Sequence, residues 1–431
     1  MSDAFVRNES QAASEPDDDD ELPAPAARRP RSRPLSRQRR LRLLGGMTLA
    51  LALLAGGYAL LPRVLPAYVV EGPLVQQTTD SGGTILWYTS RRVNEGITIT
   101  LGNGGTAQPV ENDGRRHRAV LRDLNPSQAY PYTIRLGERT LAAGVLHTNR
   151  QRDEPFSFAV FGDSGTGSRA QYRIAELVAA ARPDFVLHTG DLVYEGGERR
   201  GFRRRFFEPY ARLLERVSFW PCLGNHDVSE PDFAAPYREV FELPENGPAG
   251  LTPEHNYWFD YGAARFVVID SNASEDDLRA KVAPWVLQTL SEPRLRWKFA
   301  ALHHPPYTAG KYQPDERIQR ALVPAFEQVG LDILFSGHDH IYLRTQPLRG
   351  GRIVPPGQGV VYVVTGAGGA ELYEERRPEQ RPAYVAALRN DVHSFTRVSI
   401  GAERLTLEQI DWNGRTLDRW ELHKSAGVPA P

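Results

Sequence analysis

Residues 156–165 read FSFAVFGDSG, and residues 185–194 read FVLHTGDLVY. Each is a short apolar run of strand-forming side chains stopped by Gly-Asp. Between them Arg169 to Ala181 has helical composition, and Phe202 to Arg216 predicts a second helix. Strand, helix, strand, helix argues for an α/β layer architecture, in which ligands gather beyond the strand ends.

Working outward, three further blocks place amide, imidazole or acidic groups after apolar runs. They are Gly224-Asn225-His226-Asp227, Leu302-His303-His304-Pro305 and Gly337-His338-Asp339-His340. Singly, each has a plain reading: a Gly-Asp or GNHD is usually a turn, and a histidine pair is usually surface or core. Together and in this order they are hard to attribute to chance. Carboxylates, an amide oxygen and imidazoles suit borderline and hard first-row cations, and a thiolate-rich site is excluded by the single cysteine, Cys222. In an extended segment His338 and His340 share a face and can reach neighbouring ions. The glycines before Asp163, Asp191, Asn225 and His338 are expected to make tight turns that expose the next side chain.

These five blocks resemble those of the calcineurin-like metallophosphoesterases, and the tyrosine three residues after Asp191 narrows the resemblance to purple acid phosphatases. In most of that superfamily the first block is Asp-x-His. Here it is Asp163-Ser164-Gly165, with Tyr194 available in the histidine's stead. Tyr257 to Gly262 and Gly366 to Gly369 also resemble family segments. The resemblance covers roughly residues 68 to 420.

It implies a four-layer α/β/β/α catalytic domain over 151–424. It also implies a first metal held by Asp163, Asp191, Tyr194 and His340, and a second held by Asp191, Asn225, His303 and His338, with Asp191 bridging. A phenolate donor favours Fe(III) at the first site; the second would take Fe(II), Zn(II) or Mn(II). The implied reaction is hydrolysis of phosphate monoesters by a metal-bound hydroxide. His226 would protonate or stabilise the leaving group, and His304 would contact phosphoryl oxygens.

Other residues near these blocks read more plainly. His188, inside a strand, is expected to be a satisfied core group. Asp227 and Asp339 are expected to orient neighbours. His255 and His393 are weaker candidates for the pocket mouth. The run Arg199, Arg200, Arg203, Arg204 and Arg205 spreads around a helix and reads as solvated surface. Cys222 reads as a small buried apolar residue.

Ahead of the catalytic region, residues 68–150 show short alternating runs such as Thr84 to Thr89 and Ile97 to Leu101. The stretch LRDLNPSQAYPYTIRL (121–136) looks like the tyrosine corner of a fibronectin type III sandwich, closed by Tyr130 or Tyr132. Trp87 is then core, and the domain a spacer or a wall beside the site. Nearer the N-terminus, Leu43 to Leu61 carries no charge and is long enough for a single transmembrane helix. Eight arginines between Arg28 and Arg42 precede it and only Arg63 follows closely, which orients the catalytic domain outside the cytoplasm. A cleaved or twin-arginine export signal at Arg39-Arg40 is the alternative, giving a secreted product.

Residues 1–42 are expected to be a disordered cytoplasmic tail and 425–431 a loose end. The formal net charge of −1 gives no pull toward nucleic acid, and a small phosphorylated substrate is the expected partner. Two other functions remain open from sequence: a phosphodiesterase on the same fold, and an inactive surface binding module.

Overall fold

The structure, a computed structural model, describes residues 66–102, 107–228 and 234–424. The expected tail, the expected membrane segment at 43–61 and residues 425–431 lie outside these. Among the described residues no helix is long and apolar enough to cross a membrane.

Alternating apolar side chains build two facing sheets in the catalytic region. The first runs, edge to edge, Ser218–Pro221, Phe185–His188, Phe156–Phe161, Ser394–Ile400, Arg404–Asp411 and Thr416–His423. The second runs Tyr257–Tyr261, Ala264–Val268, Trp297–Ala301, Ile333–Ser336, Val361–Thr365, Tyr342–Thr345 and Val385–Arg389. Successive strand residues point to opposite faces, so each sheet has an inner and an outer side. The inner sides meet through aromatic rings: Phe158 lies 5.1 Å from Phe266 and 5.6 Å from Phe299, and Trp220 stacks on Phe259 at 4.0 Å. Outside the second sheet, Val267, Ala300 and Leu334 pack with Leu278, Val286 and Phe326 of the helical stretches 275–290 and 316–329. Outside the first, Phe161 packs on Tyr210 at 5.6 Å, within the helical run 199–214, and Ile174 and Val178 come from Arg169–Ala181.

Strand direction fixes the position of the site. Phe156–Phe161, Phe185–His188 and Ser218–Pro221 are parallel, as are Ala264–Val268, Trp297–Ala301, Ile333–Ser336 and Val361–Thr365. All five blocks follow the C-terminal ends of these strands, so the two sheets deliver them to one rim.

Residues 69–147 form a sandwich of two four-stranded antiparallel sheets. One is ordered Val69–Gln76, Gly83–Thr89, Arg116–Leu121, Glu111–Asp113. The other is ordered Ala107–Gln108, Ile97–Leu101, Ala129–Leu136, Arg139–His147. Trp87 is fully buried in its core and stacks on His117 at 5.5 Å. Of the two candidate corner tyrosines, Tyr130 accepts the Asn125 N–H at 2.8 Å, whereas Tyr132 reaches out to donate to the Glu215 carbonyl at 2.9 Å.

The sandwich is no detached spacer. Leu74, Leu86 and Tyr88 are part of the same buried cluster as Phe158 and Phe219. Thr78 Oγ1 bonds Ser218 Oγ at 3.0 Å and Tyr88 OH donates to the Glu239 carbonyl at 2.7 Å. Arg199, the first of the arginine run, pairs with Glu71 and Glu239 over the Tyr88 ring, so it belongs to this interface and not to open surface.

Candidate metal centre

Asp163, Asp191, Tyr194, Asn225, His303, His338 and His340 converge at the rim where the two sheets meet. Ligand atoms of Asp163, Asp191 and His340 all lie within 4.8 Å of one another, and so do those of His303, His304 and His338. Asn225 Oδ1 sits 3.0 Å from His303 Nε2 and 2.9 Å from His338 Nδ1, and Tyr194 OH sits 3.0 Å from His340 Nε2. His303 Nε2 stands 3.5 Å from Asp191 Oδ1, linking the two groups. Asp163, Asp191, His303 and His340 form a buried floor, while Tyr194, Asn225, His226, His304 and His338 are half-buried around it.

The local backbone explains this aim. Gly190, at φ 99°, makes the expected turn before Asp191, whereas Gly162, Gly224 and Gly337 have no positive φ; Asp163 at φ 55°, Asp191 at 57° and His338 at 66° are themselves left-handed. The glycines matter more as gaps. A Cβ on Gly224 would stand 2.1 Å from Asp191 Oδ1, and one on Gly165 would stand 2.0 Å from the Leu192 carbonyl oxygen. Position 165 therefore has no room for any side chain. The loop bearing Tyr194 leans across it, held by the Tyr194 N–H to the Gly165 carbonyl at 2.9 Å.

Surrounding groups set the protonation. His303 Nδ1 lies 2.8 Å from the Thr189 carbonyl and His340 Nδ1 lies 2.6 Å from the Glu371 carbonyl. A carbonyl only accepts, so each Nδ1 carries the proton and each Nε2 lone pair faces the cluster. Burial favours the neutral imidazole at three of the cluster's histidines, pushing His340 down to about 4, His338 to about 2 and His303 well below its ordinary value. Burial, then the neighbouring Asp191, pushes the Asp163 carboxyl well up, and burial raises Asp191 too. Burial, with Asp163 and Asp191 beside it, raises the Tyr194 phenol far above 10. Lone pairs and two buried carboxylates converging with no cationic side chain among them repel one another, and metal cations would relieve that repulsion. The donor set fits a pair of such ions.

The remaining candidates separate cleanly. His226 donates its backbone N–H to Asp191 Oδ1 at 3.0 Å, and its ring tilts over Tyr194 at 4.5 Å. Ser271 Oγ accepts the backbone N–H groups of His303 and His304, so its own proton goes to His304 Nδ1 at 2.8 Å. His304 then keeps its proton on Nε2, which makes it a donor and not a ligand. Asp227 accepts the N–H groups of Asp191, Leu192 and Gly224, and Asp339 accepts from Thr308 Oγ1 and Lys311 N.

His188 is buried and bonds Ser164 Oγ at 2.8 Å. His255 is buried against Asp270, and His393 Nδ1 bonds the Ala367 carbonyl. Sequence reasoning did not single out Tyr312, which stacks on His338 at 4.1 Å, or Tyr373, which stacks on His340 at 3.9 Å. No motif marks them, because loops far apart in sequence deliver them.

Comparison with known proteins finds similarity over the same region. A family model described as calcineurin-like phosphoesterase matches residues 156–342, and one described as iron/zinc purple acid phosphatase-like protein C matches residues 359–419. Acid phosphatase type 7 of Danio rerio is 25% identical over 366 residues, spanning 73% of this chain and 78% of that protein. Purple acid phosphatase 5 of Arabidopsis thaliana is 22% identical over 243 residues, spanning 54% of this chain and 56% of that protein. The structure of a purple acid phosphatase from yellow lupin (Lupinus luteus) seeds superposes with a TM-score of 0.69 at 17% identity, covering 81% of this chain and 74% of that one. The catalytic region is thus that of a calcineurin-like phosphoesterase, with similarity to purple acid phosphatases. It is a metal-dependent phosphatase.

Proposed function

We propose that the chain hydrolyses small phosphate monoesters at a two-metal centre facing the outside of the cell. Asp163, Asp191, Tyr194 and His340 would hold Fe(III), and Asp191, Asn225, His303 and His338 would hold Fe(II), Zn(II) or Mn(II). The observation that carries this reading is the convergence of Asp163, Asp191 and His340 beside Asn225, His303 and His338, the two sets meeting where His303 Nε2 stands 3.5 Å from Asp191 Oδ1. When bound, such ions supply Lewis-acid polarisation of the phosphoryl group and acidify a water. The chain's own residues do the rest. His304 offers its Nε2–H to a phosphoryl oxygen, and Ser271 keeps it in that tautomer. His226, on the half-buried rim above Tyr194, protonates the departing oxygen. Asp227 holds the loop that aims Asp191.

The experiment is a visible spectrum with metal analysis on the purified protein. Burial keeps the Tyr194 phenol protonated unless a cation displaces the proton, so ferric ligation gives a violet band that Tyr194→Phe removes. Two metals per chain without that band in the wild type would overturn the ferric assignment. Comparing aryl monoester with aryl diester turnover tests the monoester preference. The sandwich is read as fibronectin type III-like on the strength of the Tyr130 corner. Anchoring through 43–61 is supported by the charge-free run and its arginine flank. Protease access to the catalytic region in intact cells, with the protein in the membrane fraction, tests that placement.

A further inference from the structure

We propose that Lys311 forms an anion subsite for the leaving group, so that the site favours phosphate monoesters carrying a second negative charge. This deepens the phosphomonoesterase reading and rests on it. The observations lie on the lip above the two histidines of the last block. Tyr373 lies nearly parallel to the His340 ring, 13° apart, and Tyr312 to the His338 ring, 20° apart. The two tyrosines meet edge to face at 5.7 Å. The Lys311 ammonium stands 4.0 Å from the Tyr373 centroid and 5.4 Å from that of Tyr312. His340 covers one face of Tyr373, so the ammonium occupies the other. That places a positive charge one stacked ring beyond an imidazole of the cluster, within the span of a small ring bearing a charged substituent.

The lysine is held in place. Its backbone N–H donates to Asp339 Oδ1 at 2.9 Å, and Thr308 Oγ1 donates to the same carboxylate at 2.6 Å. Asp339 lies between His338 and His340, so one tripeptide presents both imidazoles and anchors the loop that carries Lys311. From the other side, the Arg376 N–H donates to the Gly310 carbonyl at 3.0 Å, and the Tyr373 N–H to the His340 carbonyl at 3.2 Å. The described contacts of the ammonium itself are with the two rings, and no carboxylate among the described residues pairs with it. An exposed cation on an aromatic shelf beside a phosphoryl site is suited to a carboxylate or a second phosphate on the substrate.

The rival is a structural role, in which Lys311 only caps the Tyr373 ring. Lys311→Met keeps an apolar stem over that ring and removes the charge. The probes are phenyl phosphate and 4-carboxyphenyl phosphate. Wild type is expected to favour the carboxylated probe by about fivefold in kcat/KM, chiefly through KM, as one exposed ion pair allows. Lys311→Met should erase that preference while holding phenyl phosphate to within about twofold, Lys311→Arg should retain it, and added salt should shrink it. An equal loss on both probes would make Lys311 structural, and an unchanged preference in Lys311→Met would place the anion elsewhere; either overturns the proposal. Failure of metal-loaded wild type to turn over phenyl phosphate would instead overturn the phosphomonoesterase reading beneath it.

Discussion

Asp191 is 1% exposed and Asp163 is 0% exposed, and each has its carboxyl raised by burial, Asp163 further by its neighbour. A carboxyl raised in the folded state opposes folding at neutral pH, and that opposition fades as pH falls through its folded value. The metal-free protein should therefore gain stability on mild acidification at this site. It should also gain about 1–2 kcal/mol at neutral pH from Asp191→Asn, because the amide removes a buried charge and keeps the oxygen that accepts from His226. The same variant should lose at least about a hundredfold in hydrolysis, since it removes the charge shared between the two donor groups. Denaturant melts of chelated proteins set beside turnover of metal-loaded ones check both halves. A lower midpoint for the chelated variant would show that burial is not what raises these carboxyls. Asp227→Ala should do the opposite: by orphaning several buried N–H groups it should cost about 3 kcal/mol even without metal, read from the same melts.

At the scale of elements, the sequence carries the strands and the donor residues well and the backbone poorly. The run Arg169 to Ala181 is a helix with those bounds, and the strand ends before Asp163, Asp191 and His338 fall where apolar runs stop. Residue type marked the cluster because few side chains suit hard cations. Pattern could not show that Tyr312 and Tyr373 stack on the site's histidines, or that Ser271 sets the tautomer of His304, since each contact joins distant loops. Nor could it separate a glycine needed for its torsion from one needed for its emptiness. Gly224 is of the second kind. An added Cβ would stand 2.3 Å from the Asp191 backbone nitrogen as well as 2.1 Å from its carboxylate, so Gly224→Ala should lower the melting temperature and also displace the Asp191 carboxylate. A fall of tenfold or more in metal affinity is then expected, as for a disturbed neighbour of a ligand, measurable by competition with a chromogenic chelator. A variant that binds metal like wild type would show that the loop yields without cost.

For the whole molecule, the sandwich and the catalytic sheets are one folding unit. Burying Leu74, Leu86 and Tyr88 against the catalytic region contributes about 5 kcal/mol. A fragment beginning near residue 151 should consequently be insoluble or markedly less stable than the chain from residue 66, which expression of the two side by side would reveal. The sandwich also responds to acid. Burial depresses His117 to about 4 from an ordinary 6.5. A base with a lowered folded value contributes full stability above about pH 6.5, and loses up to about 3 kcal/mol as pH falls toward 4. His117→Gln should flatten that decline in urea midpoints measured at pH 7 and 4.5. An unchanged slope would assign the acid sensitivity to other groups.

The order of strands in the first sheet carries a last consequence, one of time. Phe156–Phe161, whose end presents Asp163, lies between Phe185–His188 and Ser394–Ile400. One neighbour follows almost at once along the chain, and the other arrives only after the whole second sheet has been made. During synthesis the strand that aims the first carboxylate must wait, half paired, for most of the polypeptide to emerge. A nascent chain that has not yet reached Ser394 accordingly holds the metal-seeking residues without the strand that completes their frame.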